Sequence, residues 1–165
     1  MSDFIRTLNL IKTQRDLTWL APSQQDALTE LREALRMPGT VNLFGMAGVG
    51  KTFLAWTLAN ELDYTYLAHI SHFEQVEDLY TKGVVLDNCL PKRQFHRNML
   101  KAISFRNVSC AVLVTRQMIQ DYTRYVELRL TPSDQVKVGD NLATLGVFRK
   151  VNQAPNLWHV VNPHL

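Results

Sequence analysis

Cysteine is scarce. The two present, Cys89 and Cys110, lie far apart, each inside an apolar stretch. Two such residues make neither a disulfide framework nor a thiolate metal site; they read as small buried hydrophobes of a reducing compartment, so a cytoplasmic chain is expected. No apolar run approaches the roughly 20 residues of a membrane-spanning helix, and Met1-Ser2-Asp3-Phe4 lacks the basic-then-apolar start of an export signal, so no membrane partner is expected. Internal repeats and low-complexity tracts are missing too. With 46% hydrophobic and 20% charged residues, disorder is excluded. The 165 residues suffice for one domain with a real core and are too few for two ordinary ones.

Acidic residues thin out along the chain. Residues 1–81 carry six Lys/Arg against ten Asp/Glu, whereas residues 82–165 carry twelve against five, for a net charge of +3. The basic second half points toward an anionic partner.

Helical and strand patterns alternate, which predicts an α/β domain. Phe4, Leu8 and Ile11 share a helical face. Ser23 is the expected cap of a second helix, in which Leu28, Leu31 and Leu35 recur at helical spacing up to Met37-Pro38-Gly39. Val41 to Phe44 predicts a strand, Gly45 to Gly50 a glycine-rich turn, and Lys51 to Leu62 a helix. Further strands are predicted at Tyr64–Ile70, Val84–Asp87, Ala111–Val114 and Tyr125–Leu130. Ser71 and Glu74 form a capping box for a helix ending at Gly83, and Pro91 opens another to about Ser104. Residues 136–150 fit helix or hairpin, and Leu157–Val161 reads as one more short strand.

Gly45-Met46-Ala47-Gly48-Val49-Gly50-Lys51-Thr52 fits the phosphate-loop pattern G-x-x-x-x-G-K-[ST], with a strand before it and a helix after it, as that motif requires. Glycines let successive backbone N–H groups curl around a polyphosphate, and the following helix, beginning with Lys51, Thr52 and Phe53, points its positive end there. Lys51 is expected on the β- and γ-phosphates and the Thr52 hydroxyl on Mg²⁺. The expected ligand is ATP or another purine nucleoside triphosphate with Mg²⁺. The expected fold is a three-layer α/β P-loop sandwich with a mainly parallel sheet of about five strands. It would form one domain over 1–165, with N-terminal helices to residue 38, a core over 41–130 and a short C-terminal extension over 131–165.

Val84-Val85-Leu86-Asp87 is an apolar strand ending in a carboxylate, and Asp87 at such a tip would hold Mg²⁺ through water. Many ATPases place a glutamate next to activate the attacking water; here the residue is Asn88, whose amide orients water but accepts no proton. Slow hydrolysis, or a residue lent by a partner, is therefore expected, the alternative being that Asn88 only caps the turn before Pro91. Val112-Leu113-Val114-Thr115-Arg116 ends a further strand. If that strand lies beside the phosphate-loop strand, Thr115 or Arg116 faces the γ-phosphate, and the forked guanidinium suits phosphate oxygens. A surface Arg at a strand end is the competing reading.

Taken together, the phosphate loop, Leu86-Asp87-Asn88-Cys89 and Val112-Leu113-Val114-Thr115-Arg116 resemble STAND-class ATPases, the group that includes NB-ARC proteins and many bacterial signalling regulators. The resemblance spans about residues 17 to 132. It implies that Arg116 senses the γ-phosphate and that Trp19-Leu20-Ala21-Pro22-Ser23 lies where the family flanks adenine, although its Gly-Arg-Glu is missing. Only 35 residues follow Leu130, too few for the helical lid and winged-helix parts of that family. The resemblance thus implies a bare nucleotide-binding core whose output passes through a separate protein or through self-association.

Arg93, Arg97 and Lys101 fall at i, i+4 and i+8 of the helix after Asp87, with Phe95, Met99 and Ile103 on another face. Between residues 82 and 109 the only acid is Asp87. This strip suits nucleic-acid phosphates or an acidic protein, or one Arg acting on a neighbour's γ-phosphate; it also suits a plain solvated helix face. His69 and His72 lack a third ligand for a metal, and Trp56 reads as core rather than ligand contact.

The leading function is therefore an ATP-dependent switch or slow ATPase that regulates a protein partner. The alternative is a nucleic-acid-associated ATPase of loader or transposition type. A small-molecule kinase lacks a lid-like insertion, a GTPase lacks Asn-Lys-x-Asp, and a degenerate domain that holds nucleotide without turnover remains a fourth class.

Overall fold

The computed structural model describes residues 3–69, 82–90, 108–120, 124–149, 151 and 154–162. Residues 71–81 and 91–104 of the two expected helices, and with them His72, Arg93, Arg97 and Lys101, lie outside the described residues; the first helix does not reach Gly83, which begins a strand. Five strands form one sheet: β1 (Gly39–Phe44), β2 (Thr65–Leu67), β3 (Gly83–Leu86), β4 (Cys110–Thr115) and β5 (Tyr125–Glu127). Their order is β2-β3-β4-β1-β5 and every pairing is parallel. β1 therefore lies between β4 and β5, with Phe44 opposite Thr115 on one side and Glu127 on the other.

Alternation along the strands sorts the core into two faces. Val41, Leu43, Val85, Val112 and Val114 point to the face packed by α2 (Pro22–Ala34) and α3 (Lys51–Leu62), through Leu28, Leu31, Leu54 and Leu58. Val84, Leu86, Ala111 and Leu113 form a second cluster with Cys89 and Ile119.

A third cluster joins the two ends of the chain. Phe4, Leu8 and Ile11 of α1 (Asp3–Thr13) pack with Leu142 of α4 (Pro132–Thr144) and with Val160 and Val161 of α5 (Leu157–Val161). Residues 136–150 thus resolve mostly as helix. Leu157–Val161 is a helix, not the expected strand. Asn156 caps it, its side chain accepting from the His159 N–H at 3.1 Å, and Leu157, Val160 and Val161 are buried at helical spacing. The β-branched pair favoured a strand, but the cap and the buried i, i+3, i+4 face outweigh it. The two helices after Leu130 both join this cluster.

The start of α2 differs by two residues from the expected Ser23 cap. Ala21 is the N-cap and Pro22 the first helical residue, and Gln24 Oε1 accepts the Ala21 N–H at 2.9 Å. The Ser23 N–H instead donates to Asp134 Oδ1 at 2.8 Å. The other oxygen of Asp134 accepts from the Thr131 N–H at 2.6 Å and from its hydroxyl at 2.8 Å. One fully buried carboxylate thus caps α4 and pins the first turn of α2. Such charge-assisted bonds at two helix N-termini are worth more than an exposed cap. Asp134→Ala is predicted to cost about 2–4 kcal/mol of folding stability; urea unfolding measures it.

Candidate nucleotide-binding site

The turn after β1 bends because its glycines occupy conformations closed to other residues. Gly48 and Gly50 have φ of +79° and +90°. Space is short as well. A Cβ at Gly45 would lie 2.4 Å from the Leu128 carbonyl oxygen, and one at Gly48 would lie 2.6 Å from the Asn156 carboxamide carbon. α3 begins at once with Lys51. The Lys51 ammonium donates to the Gly45 and Met46 carbonyls, each at 2.7 Å. Those two bonds hold it over its own loop and leave a third N–H for a phosphate.

Thr52 and Asp87 meet. The Thr52 hydroxyl donates to Asp87 Oδ2 at 2.7 Å, and the Tyr66 hydroxyl donates to the same oxygen at 2.8 Å. Asp87 Oδ1 accepts the Asn88 N–H at 2.7 Å. The carboxylate is buried, yet both its oxygens are satisfied, which is how a buried charge is tolerated. A hydroxyl and a carboxylate in contact form a hard-oxygen donor pair that fits Mg²⁺. That ion takes one or two protein oxygens and leaves its other positions to phosphate and water.

A cavity of about 1040 Å³ opens over this centre. Of the nine residues 45–53, Ala47, Gly48, Gly50, Lys51, Thr52 and Phe53 line it, together with Asp87, Asn88, Thr115 and Arg116. Gly45 and Met46 contribute the carbonyls that hold Lys51, the Met46 side chain is exposed, and Val49 is buried in the core. β4 does lie beside β1, so the condition set for Thr115 and Arg116 is met. Thr115 turns inward, accepting from Asn42 at 2.9 Å and donating to the Gln117 carbonyl at 2.6 Å. Arg116 is exposed on the cavity wall and acts electrostatically on Lys51. Asn88 sits in the left-handed region at φ +54°, and its Nδ2 donates to the Ala68 carbonyl at 3.0 Å. Trp56 is half-buried; it lines the cavity and packs edge-on against Phe53 and Tyr66.

The apolar walls come from parts of the chain that carry no motif. Leu8 and Ile11 of α1, Trp19, Val138 and Leu142 of α4, and Trp158 and Val161 of α5 all face the cavity. Trp19 belongs to the segment expected beside the base, and its carbonyl accepts from Asn141 Nδ2 at 2.8 Å. α5 also reaches the phosphate loop, because the Leu157 N–H donates to the Gly48 carbonyl at 3.0 Å. Gln24 Nε2 donates to the Gly50 carbonyl at 3.0 Å. Sequence reasoning missed Tyr66, Asn42 and Gln24. The only available signal for the last two was a polar residue inside an otherwise apolar strand or helix face.

Burial, the largest effect, lowers the Lys51 ammonium to about 8; Asp87 opposes the shift and Arg116 adds to it. The Tyr66 hydroxyl is pushed upward by burial and then by Asp87. Burial likewise pushes the Cys89 thiol up to about 12, so it stays a neutral thiol.

A five-stranded parallel sheet with a glycine loop between β1 and α3, and a carboxylate just after β3 bonded to the first turn of α3, is the fold of P-loop ATPase domains. Solved structures share it. Domain III of the Thermotoga maritima replication initiation protein DnaA aligns over 86% of this chain and 81% of its own, with TM-score 0.63 and 11% identity. A DnaA initiator bound to AMPPCP and single-stranded DNA aligns over 80% of this chain and 57% of its own, with TM-score 0.54 and 15% identity. Thermotoga maritima RuvB aligns over 76% and 54%, with TM-score 0.54 and 17% identity. The chain thus spans little more than half the length of the last two, and the likeness is one of fold. No family profile and no curated protein sequence matches the chain.

The lowered Lys51 pKa carries a prediction. In the free protein Lys51 loses its proton as pH rises through about 8; a bound polyphosphate favours the charged form and raises the pKa again. Nucleotide binding should therefore take up about half a proton at pH 8 and close to one at pH 9, and affinity should fall as pH climbs through this range. Calorimetry in buffers of different ionisation enthalpy measures the uptake, which Lys51→Arg should abolish because guanidinium does not titrate there.

Proposed function

We propose that the chain is an ATP-binding P-loop protein that acts as a nucleotide-dependent switch or slow ATPase, regulating a partner protein or its own association. The observation that carries this is the convergence of Lys51, the Thr52–Asp87 pair and Arg116 on one cavity, with Asn88 where a general base would stand. In this reading Lys51 neutralises the β- and γ-phosphates, Thr52 and Asp87 hold Mg²⁺, and Arg116 contacts the γ-phosphate. When bound, the ion draws charge from the phosphate oxygens. Asn88 donates one side-chain N–H to the Ala68 carbonyl and offers no carboxylate to take a proton from water. Losing general-base assistance costs about 10²–10⁴-fold in rate. The STAND-type character belongs to this proposal, supported by the hydrophobic-Thr-Arg end of β4. Two buried free thiols suit the cytoplasm.

The test is calorimetry with Mg²⁺ and AMPPCP, then steady-state hydrolysis of ATP. Binding is expected, with turnover well below about 1 per second. Lys51→Ala should weaken binding by about 100-fold, through loss of a charge-assisted phosphate contact. Failure to bind would overturn the proposal, and turnover of many per second by the isolated chain would overturn the slow-switch part of it.

One observation favours the second reading, a nucleic-acid-associated ATPase of initiator or loader type. A structural neighbour of this chain is a replication initiator bound to single-stranded DNA, and the basic strip Arg93, Arg97, Lys101 follows Asp87 in sequence. Replacing all three by Gln should abolish salt-sensitive binding to single-stranded DNA. Unchanged binding, or none in the parent chain, would remove this reading.

A further inference from the structure

The middle of β1 holds a fully buried polar side chain, Asn42. In the centre of a parallel sheet an apolar residue would pack there without needing partners, so the amide must be stabilised by what it bonds. It bonds three groups. Nδ2 donates to the Leu113 carbonyl at 3.0 Å and to the Thr115 hydroxyl at 2.9 Å, and Oδ1 accepts the Ile119 N–H at 2.9 Å. The Thr115 hydroxyl passes the chain on to the Gln117 carbonyl at 2.6 Å.

These contacts bracket the turn formed by residues 116–118. Thr115 and Ile119 are buried and pinned, Gln117 is held through Thr115, and Arg116 projects from the turn between them. Asn42 stands three positions before Gly45 on the strand that delivers the phosphate loop. A single amide therefore ties the Arg116 turn to the strand that carries the loop. Main-chain pairing of β1 with β4 ends at Phe44 and Thr115, so beyond that point the turn depends on side-chain bonds for its direction.

We infer that Asn42 is a positioning residue for Arg116, setting the guanidinium at the distance from the phosphate loop where a γ-phosphate, and not the shorter diphosphate, meets it. This rests on the reading of the cavity as an ATP site with Arg116 on the γ-phosphate. Asn42 touches no nucleotide itself; its effect is on which nucleotide the site prefers. The hydrogen-bond relay from Asn42 through Thr115 fixes the turn only while both members are present.

The experiment measures affinities of the full chain for Mg²⁺ with AMPPCP and for Mg²⁺ with ADP, and takes their ratio. Arg116→Ala should cut the triphosphate preference about tenfold, the worth of a charge-assisted contact. Asn42→Ala should lower it several-fold and leave ADP affinity within about twofold, and Thr115→Val should lower it by a similar factor. Thr115→Ser, which keeps the hydroxyl, should restore it, and Asn42→Ala added to Arg116→Ala should lower it no further. If Asn42→Ala does not fold, Thr115→Val, which keeps the side-chain shape, carries the same test. A preference that survives Thr115→Val while Arg116→Ala abolishes it overturns the positioning role and leaves the ATP-site reading standing. Equal losses of AMPPCP and ADP affinity in Asn42→Ala reduce it to a structural residue and overturn the inference. A preference untouched by Arg116→Ala overturns the γ-phosphate role of Arg116 itself.

Discussion

The candidate site is built around the Asp87 carboxylate, which ties the first turn of α3 to the tip of β3. It sits buried at the tip of β3, and it is stable there because Thr52 from α3, Tyr66 from β2 and the Asn88 N–H all donate to it. Those bonds close a geometric gap. β3 is not beside β1; β4 stands between them, so the two strand axes are about 10 Å apart. The phosphate loop crosses that distance and lets the first turn of α3 bring Thr52 onto Asp87. The donor pair therefore lies above the end of β4, which is why Thr115, its last residue, and Arg116, which follows it, reach the same cavity.

A phosphate cradle needs N–H groups turned inward, and that requires the loop's carbonyls to be occupied elsewhere. The structure accounts for four of them. Lys51 takes those of Gly45 and Met46, Leu157 takes that of Gly48, and Gln24 with the Leu54 N–H takes that of Gly50. The partners come from the loop's own lysine, from α3, from the start of α2 and from α5. The cradle is thus prepared by parts of the chain far apart in sequence, and the loop's shape is a tertiary property as much as a glycine property.

This division explains what could be read from the sequence. The phosphate loop, Asp87 and the β1–α3 unit were legible because their chemistry is local, and a fixed spacing encodes it. The pairing of β4 with β1 could be stated only as a condition, since strand order is settled by packing of both sheet faces and leaves no short-range trace. Tyr66, Asn42 and Gln24 were illegible for the same reason, as each acts through a neighbour set by strand order or helix docking. Ser23 was a reasonable cap by type, but Pro22 at the first helical position and the reach of Gln24 moved the helix start. Leu157–Val161 was misread because β-branched residues argue for strand only when nothing caps a helix, and Asn156 does.

The apolar part of the cavity shows the same logic at larger scale. Leu8 and Ile11 near the N-terminus and Trp158 and Val161 near the C-terminus share one wall. Either set alone would leave an exposed apolar face, so α1 and α5 stabilise each other by burying it. Because α5 also bonds the phosphate loop at Gly48, that mutual burial is mechanically continuous with the cradle. A ligand that fills the space between them contacts both chain ends and the loop at once, so its binding free energy bears directly on how firmly the two ends stay together.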